Sequence, residues 1–245
     1  MRLKFFYAAL IILIANTASK SQYDIYKIST DIELMKLTEN VFVHISYFTS
    51  KEYGRFPSNG MIYVQGNEAF LFDTPMTEGM TEQLISFIKD SLKLEITGFI
   101  PNHWHDDCTG GLRMINELNI ESYSNILTYD ILKEKNLPLT KYHFRDSLLL
   151  NFGKNKIICK YFGAAHAADN IIVWLPSEKV LFAGCMAKEL SSKGLGNLSD
   201  ADTKQWPVTI KTVFAEFPDA EYVIPGHGNT GSKELLEHTL HLLAK

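Results

Sequence analysis

The chain has 245 residues, of which 46% are hydrophobic and 12% aromatic, so it can bury a sizeable core and is not a disordered protein. Its formal net charge is −4, and no stripe of lysine and arginine occurs anywhere in the sequence. This charge distribution excludes the electrostatic footprint of a nucleic-acid-binding protein, and we expect no nucleic-acid partner.

The first 21 residues have the order of a secretory signal peptide. Arg2 and Lys4 precede an apolar run from Phe5 to Ala15, which is too short to span a bilayer, and small and polar residues follow. We expect cleavage near residues 18–21 and export to the periplasm, with no stable membrane association afterwards. Residues 22–245 would then form the single mature domain. An uncleaved N-terminal anchor is the alternative.

The first part of the mature chain reads as strands followed by a helix. Alternating apolar residues predict one pair of strands over 32–48 and a second pair over 60–75. Between these pairs, residues 48–60 are polar and aromatic and include two glycines and a proline, which predicts a mobile loop. Apolar residues at helical spacing predict a helix over 77–94, beginning at Thr77.

The rest of the chain repeats this plan of strands first and helices later. Apolar runs predict strands at 94–101, 156–163, 170–176, 179–184 and 221–228. Helical spacing predicts helices at 111–119, 203–217 and 232–245, with Pro207 in the first turn of the second of these. Two such halves, packed sheet against sheet with helices outside, would form one α/β (α+β) domain, an αββα sandwich.

Several predicted strands end in residue types that bind metals. The segments are FIPNHWHDDC, YFGAAHAADN, LFAGCMAK and VIPGHGN. His103 and His105 are two residues apart, a spacing that lets both rings approach one ion from an extended or turn conformation, whereas a helix would need a spacing of four. His166, Cys185 and His227 lie in the same strand-end context, and zinc accepts imidazole, thiolate and carboxylate ligands. We therefore predict a metal site rather than a set of separate polar loop residues.

The cysteine count agrees with a metal site. The chain has three cysteines, Cys108, Cys159 and Cys185, and an odd number in an oxidising compartment leaves at least one outside any disulfide. That thiol would be free, metal-bound or otherwise occupied.

These segments, in this order over roughly residues 30–240, resemble the metallo-β-lactamase superfamily, and most closely the first subclass of class B β-lactamases. The shared pattern is H-x-H-x-D, a lone strand-end histidine, a cysteine in GC, and PGH-G. In the superfamily's thioesterases and lactonases, the residue after the aspartate is usually histidine. Here that residue is Cys108, and a cysteine stands at 185, which favours the lactamase subclass.

The resemblance implies the metallo-β-lactamase fold with two zinc ions per chain. The implied ligands are His103, His105 and His166 for the first zinc, and Asp107, Cys185 and His227 for the second. Zinc lowers the pKa of bound water from about 15.7 to near 7, which provides a nucleophile at neutral pH. Neither Asp106 nor Cys108 is expected to bind metal.

The resemblance also implies roles for residues around the two ions. Asp107 would orient the nucleophile, Asn197 would stabilise the developing oxyanion, and Lys188 would meet the substrate carboxylate. Asp73 would support the site from behind by orienting a ligand histidine. Residues 48–60 would be a flexible hairpin that closes over the substrate, and residues 189–202 would form the opposite wall.

The implied function is zinc-dependent hydrolysis of the β-lactam amide bond in penicillins, cephalosporins and carbapenems by an exported monomer, which confers antibiotic resistance. One alternative is another hydrolase on the same centre, with a thioester or lactone substrate. Cys185, Lys188 and the signal peptide argue against it. A non-catalytic zinc protein is a further alternative, but it would be expected to lack one or more of the six ligands.

Overall fold

The first half of the chain forms an eight-stranded sheet with its strands in chain order. The computed structural model describes residues 23–245, so the predicted signal peptide lies outside the described residues. The strands are β1 Ile25–Lys27, β2 Ile32–Lys36, β3 Val41–Ser50, β4 Gly54–Gln65, β5 Glu68–Phe72, β6 Glu95–Ile100, β7 Glu121–Asn125 and β8 Tyr142–Phe144. Neighbours are antiparallel from β1 to β5 and parallel from β5 to β8.

The second half forms a five-stranded sheet in the order β13-β12-β11-β10-β9. Its strands are β9 Ser147–Phe152, β10 Asn155–Tyr161, β11 Ile171–Leu175, β12 Val180–Gly184 and β13 Tyr222–Pro225. All neighbours are antiparallel except β12 and β13, which are parallel. The strands predicted from the apolar runs in this half are confirmed.

Six helices accompany the sheets in the described residues: α1 Glu78–Asp90, α2 Asp106–Thr109, α3 Leu112–Glu117, α4 Ile126–Glu134, α5 Trp206–Glu216 and α6 Glu234–Leu243. Helix α1 begins as predicted, because the Thr77 side chain accepts a hydrogen bond from the Met80 backbone N–H. It ends at Asp90 rather than at residue 94, and Lys93 has a φ of 58°, which no helix can contain. Pro207 lies in the first turn of α5, as predicted.

The helices and sheets form four layers. The two sheets face each other across one buried core, which includes Val43, Phe72, Phe182 and Ile224. A second core packs α1 and α3 on the outside of the large sheet, and a third packs α5 and α6 on the outside of the small one. The predicted αββα sandwich is therefore confirmed, and the apolar area removed from water on both faces of each sheet stabilises it.

The prediction of a mobile loop over residues 48–60 is wrong. Strands β3 and β4 continue through this segment, and their pairing extends to Ser50 opposite Gly54. Ladder hydrogen bonds satisfy the backbone polar groups that composition alone would assign to a loop. The rings of Phe48 and Phe56 also meet edge to face, 6.2 Å apart. This segment is a two-stranded hairpin, as the family resemblance implies.

The fold brings the carboxyl ends of strands from both sheets to one edge of the sandwich. His103 follows β6, His166 follows β10, Cys185 follows β12 directly, and His227 follows β13. Side chains that are far apart in sequence can therefore meet in one site. From Tyr23 onward, none of the helices has the length and apolar character needed to cross a bilayer.

Candidate metal centre

Three imidazole rings converge at this edge. His103 Nε2 lies 2.9 Å from His105 Nδ1. The His166 ring centroid lies 5.2 Å from each of the other two ring centroids, and it is nearly perpendicular to both rings. His103 and His105 precede α2 in an irregular segment, so the prediction that this pair is not helical is confirmed.

A carboxylate, a thiol and an imidazole form a second cluster beside the first. His227 Nε2 lies 3.3 Å from Asp107 Oδ2 and 3.3 Å from Cys185 Sγ, and this thiol lies 3.6 Å from the same carboxylate oxygen. Tetrahedral zinc holds nitrogen or oxygen at about 2.0 Å and sulfur at about 2.3 Å, so its ligand atoms lie roughly 3.3–3.7 Å apart. The cluster already has the spacing that a zinc ion requires. Asp106 is exposed and lies outside the clusters found in residues 23–245.

The outer nitrogen of three histidines is held by a hydrogen bond, which directs the other ring nitrogen into the site. The partners are the Cys108 thiol for His103 at 3.1 Å, the Asp200 carboxylate for His105 at 2.7 Å, and the Pro57 carbonyl for His227 at 2.8 Å. Such contacts fix the tautomer and orientation of metal-binding histidines. By donor type and orientation these residues fit a zinc centre, and Asp107, Cys185 and His227 fit it by spacing as well.

Burial and charge favour the protonation states that bind a metal. Burial lowers the pKa of His103 to about 3, and burial followed by the charge of His103 lowers the pKa of His166, so both rings are neutral and keep a lone pair. Burial alone would raise the pKa of Asp107, but the hydrogen bond from His227 and its charge outweigh burial and lower it. Burial and the Asp107 charge raise the pKa of the Cys185 thiol, so metal binding at Cys185 would release a proton.

Asp73 and Cys108 lie behind the first cluster. Asp73 Oδ1 accepts a hydrogen bond of 2.5 Å from the Asn102 backbone N–H, and Cys108 Sγ lies 3.1 Å from His103 Nδ1 and 3.9 Å from Asp107 Oδ1. Among the described residues, the outer nitrogen of His103 therefore contacts Cys108, and Asp73 makes no direct bond to a ligand histidine of the kind that the resemblance implies. Cys108 contacts the outer nitrogen of His103, so this geometry suits support of the ring rather than metal binding.

Lys188 and Asn197 differ in their surroundings. Lys188 is only 8% exposed, its Nζ lies 5.5 Å from the centroid of the Trp206 ring, and burial lowers its pKa. Within residues 23–245 no carboxylate pairs with this ammonium group. Asn197 is exposed, and its Oδ1 accepts a hydrogen bond of 3.0 Å from the Ser199 backbone N–H. The structure therefore shows a buried cation near the clusters, and an amide on the facing segment.

The hairpin formed by β3 and β4 contacts the second cluster directly. The Phe56 ring meets the His227 ring edge to face, 5.9 Å away, and Tyr53 at the tip is 53% exposed. The segment 189–202 contacts the first cluster through Asp200, and its Leu190 and Leu198 are exposed. Both segments that contact the clusters therefore present apolar side chains.

The sequence reasoning did not assign a role to Asp200. It lies within GNLSDAD, residues 196–202, and nothing in its spacing indicated a contact with His105, 95 residues earlier. The contact is visible only in the fold, because it joins the segment 189–202 to the end of β6.

We expect Asp200→Asn to weaken zinc binding about 10-fold, since loss of the carboxylate partner makes the His105 ring less basic and less firmly oriented. A competition titration against a chromophoric chelator measures this affinity. Asp202→Asn is the matched control, because Asp202 lies in the same segment and its Oδ1 accepts hydrogen bonds from Lys204 and Gln205 instead. Wild-type affinity in Asp200→Asn would contradict the assignment.

Comparison with known proteins gives a consistent result, although no protein-family model matches the chain. It is 43% identical over 243 residues to the metallo-beta-lactamase type 2 of Bacteroides fragilis, which covers 99% of this chain and 96% of that protein. It is 36% identical over 209 residues to the metallo-beta-lactamase type 2 of Pseudomonas aeruginosa, which covers 85% and 83%. Among solved structures, VMB-1 matches with a TM-score of 0.84 at 37% identity, over 88% of this chain and 98% of that one. The metallo-beta-lactamase from Pontibacter korlensis matches with a TM-score of 0.83 at 33% identity, over 91% and 100%.

Proposed function

The chain belongs to the metallo-β-lactamase family, and from that membership we propose how its own residues divide the work of the reaction. The activity is zinc-dependent hydrolysis of the β-lactam amide bond, which confers resistance to the antibiotics concerned. The curated relatives are named metallo-beta-lactamases, and they favour this activity over hydrolysis of a thioester or lactone.

The proposed centre holds two zinc ions, one between His103, His105 and His166 and one between Asp107, Cys185 and His227. The observation that carries this proposal is the second cluster, whose donor atoms lie 3.3 to 3.6 Å apart beside the three converging imidazoles. Six donors in two adjacent groups exceed what one tetrahedral ion can use.

Asp107 has a second role beside zinc binding, and Lys188 and Asn197 act on the substrate. Zinc, when bound, supplies an activated water nucleophile and polarises the β-lactam carbonyl. Asp107, held ionised, accepts a hydrogen bond from that water and directs it at the carbonyl carbon. Lys188 offers its buried ammonium group, which pairs with no carboxylate of residues 23–245, to the substrate carboxylate. The hydrogen bond from the Ser199 backbone N–H to Asn197 Oδ1 orients the Asn197 amide. Its Nδ2 is then available to donate to the oxyanion as the carbonyl is attacked.

The cellular setting is also part of the proposal. Residues 1–21 direct export and are removed near residues 18–21, and residues 22–245 act as a single-domain monomer in the periplasm without stable membrane association. Carbapenems are among the substrates, because attack by water leaves no acyl-enzyme that could be trapped. The basic and apolar order of the N-terminal residues supports the export step.

The decisive experiment uses the purified mature protein and a carbapenem. We expect the carbapenem absorbance to fall as the ring opens, the reaction to stop when a chelator removes zinc, and the rate to return when zinc is restored. A protein with its full zinc content that does not open any β-lactam would overturn the proposed function.

We expect Phe56→Ala to raise KM about 3- to 10-fold, because the β3–β4 hairpin loses the ring that contacts His227 and faces the substrate, with little change in kcat. Steady-state kinetics with a penicillin and a carbapenem measure both constants. Tyr142→Ala, which removes another half-exposed aromatic side chain on β8, should leave KM unchanged. An unchanged KM in Phe56→Ala would show that the hairpin does not bind substrate.

A further inference from the structure

Asn102 lies directly before His103 and is fully buried. We propose that Asn102 is a positioning residue that fixes three ligand-bearing segments relative to one another: the segment of His103, that of His166 and that of Cys185. This inference rests on the proposed zinc centre, because these three residues are taken as ligands.

The backbone of Asn102 joins the two sheets. Its N–H donates to Asp73 Oδ1, at the end of β5 in the large sheet, over 2.5 Å. Its carbonyl accepts a hydrogen bond of 3.0 Å from the backbone N–H of Ile171, the first residue of β11 in the small sheet. Asn102, the residue before His103, is therefore hydrogen-bonded to both sheets.

The side chain of Asn102 extends this link to the segment of His166. Its Nδ2 donates to the Ile171 carbonyl over 2.5 Å, and its Oδ1 accepts a hydrogen bond of 3.3 Å from Asn170 Nδ2. Asn170 Oδ1 in turn accepts a hydrogen bond of 2.6 Å from the backbone N–H of Ala167, the residue after His166. Two buried amides thus connect the residue before one ligand to the residue after another.

The same amide packs against the residue before Cys185. Gly184 has a φ of +56°, and a Cβ atom added there would lie 2.4 Å from Asn102 Cγ, which is closer than any real contact. Glycine at 184 is therefore required both by its backbone conformation and by the approach of the Asn102 side chain. A shift of the Asn102 side chain would change the space available to Gly184, the last residue of β12, and so the position of Cys185 next to it.

Only an amide satisfies all of these contacts. A carboxylate would place an oxygen against the Ile171 carbonyl, and an apolar side chain would remove the Nδ2 donor to that carbonyl and leave the buried Asn170 Nδ2 without its acceptor. The polar groups of Ile171 and Asn170 thus require an amide side chain at position 102.

The test compares Asn102→Ala with Asn125→Ala. Asn125 is also buried and also uses both amide atoms, accepting from Leu127 N–H and donating to the Arg145 carbonyl, but it caps α4. Zinc affinity is measured by chelator competition, and the geometry at Cys185 by the thiolate-to-metal absorption of the cobalt-substituted protein. We expect Asn102→Ala to lose about 10- to 100-fold in zinc affinity and to shift the cobalt spectrum. Asn125→Ala should lower only the thermal stability.

A second variant covers the case in which Asn102→Ala does not fold. Asn170→Ala leaves the Asn102 side chain in place but removes both the acceptor for the Ala167 N–H and the donor to Asn102 Oδ1. We expect it to weaken zinc binding in the same direction. The inference is overturned if the folded Asn102 variant, or Asn170→Ala in its place, binds zinc and cobalt as the wild type does. Failure of the wild-type protein itself to bind zinc would instead overturn the proposed function.

Discussion

Asp107→Asn is expected to lower kcat about 10²- to 10³-fold, the loss typical of removing one oriented group that acts on the reacting atoms. The substitution keeps the shape of the side chain but removes its negative charge. That charge lies 3.3 Å from His227 Nε2 and 3.6 Å from Cys185 Sγ, so its loss weakens the second zinc position and leaves the attacking water without its acceptor. Steady-state hydrolysis of a carbapenem at saturating zinc measures the effect.

The adjacent aspartate provides the control for this experiment. Asp106 is exposed, and α2 turns it away from the clusters, so Asp106→Asn should keep nearly the wild-type kcat. Equal losses in the two variants would show that the general charge of the segment matters, rather than the position of the Asp107 carboxylate.

Asp169→Asn is expected to stabilise the protein by about 3 kcal/mol above pH 7 and to have little effect near pH 4. Asp169 is fully buried, its Oδ2 accepts a hydrogen bond of 2.8 Å from Thr128, and its Oδ1 has no partner in the described part of the chain. Burial raises the pKa of this carboxyl group from 3.8 to about 6. The charged form is therefore unfavourable in the folded protein, and asparagine removes that charge.

The direction of this pH dependence of stability follows from the raised pKa of Asp169. The folded protein holds the Asp169 proton more tightly than the unfolded chain does, so the wild type gains stability relative to the variant as the pH falls from above 6 to below 4. Denaturant unfolding of both proteins at a series of pH values gives the difference in free energy of unfolding. Asp130→Asn, at an exposed position on α4, should show no such pH-dependent difference. A difference that is constant from pH 4 to pH 8 would show that the buried charge of Asp169 is not its cause.

The sequence could predict the parts of the fold that follow from apolar periodicity and capping. The apolar segments that form β11 and β12 are buried on both faces, and their composition predicts strands. Thr77, which caps α1, predicts the start of that helix. The ligand types at strand ends could be found for the same reason, since each follows a clear apolar run. Strand β7 has no apolar run that would predict it, because two of its buried residues are Ser122 and Ser124. The Ser124 hydroxyl is buried with a hydrogen bond to the Thr140 hydroxyl, a partner that the sequence does not reveal.

Contacts between distant segments could not be predicted from sequence. Asp200 meets His105, and Asn102 meets Asn170 and Gly184, only because the two sheets bring their strand ends together. The hairpin at 48–60 was mistaken for a loop because its pairing depends on register, which composition does not reveal. The donor types of the centre were thus visible in the sequence, whereas the residues that orient them needed the fold.

The most direct test of the two-zinc centre is a zinc titration of the metal-free protein, followed by chelator competition and by the rate of β-lactam hydrolysis. We predict two tight equivalents per chain for the wild type and only one for Asp107→Asn, with the remaining ion held by His103, His105 and His166. A wild-type protein that reaches full activity and saturates at one zinc per chain would contradict the two-zinc centre.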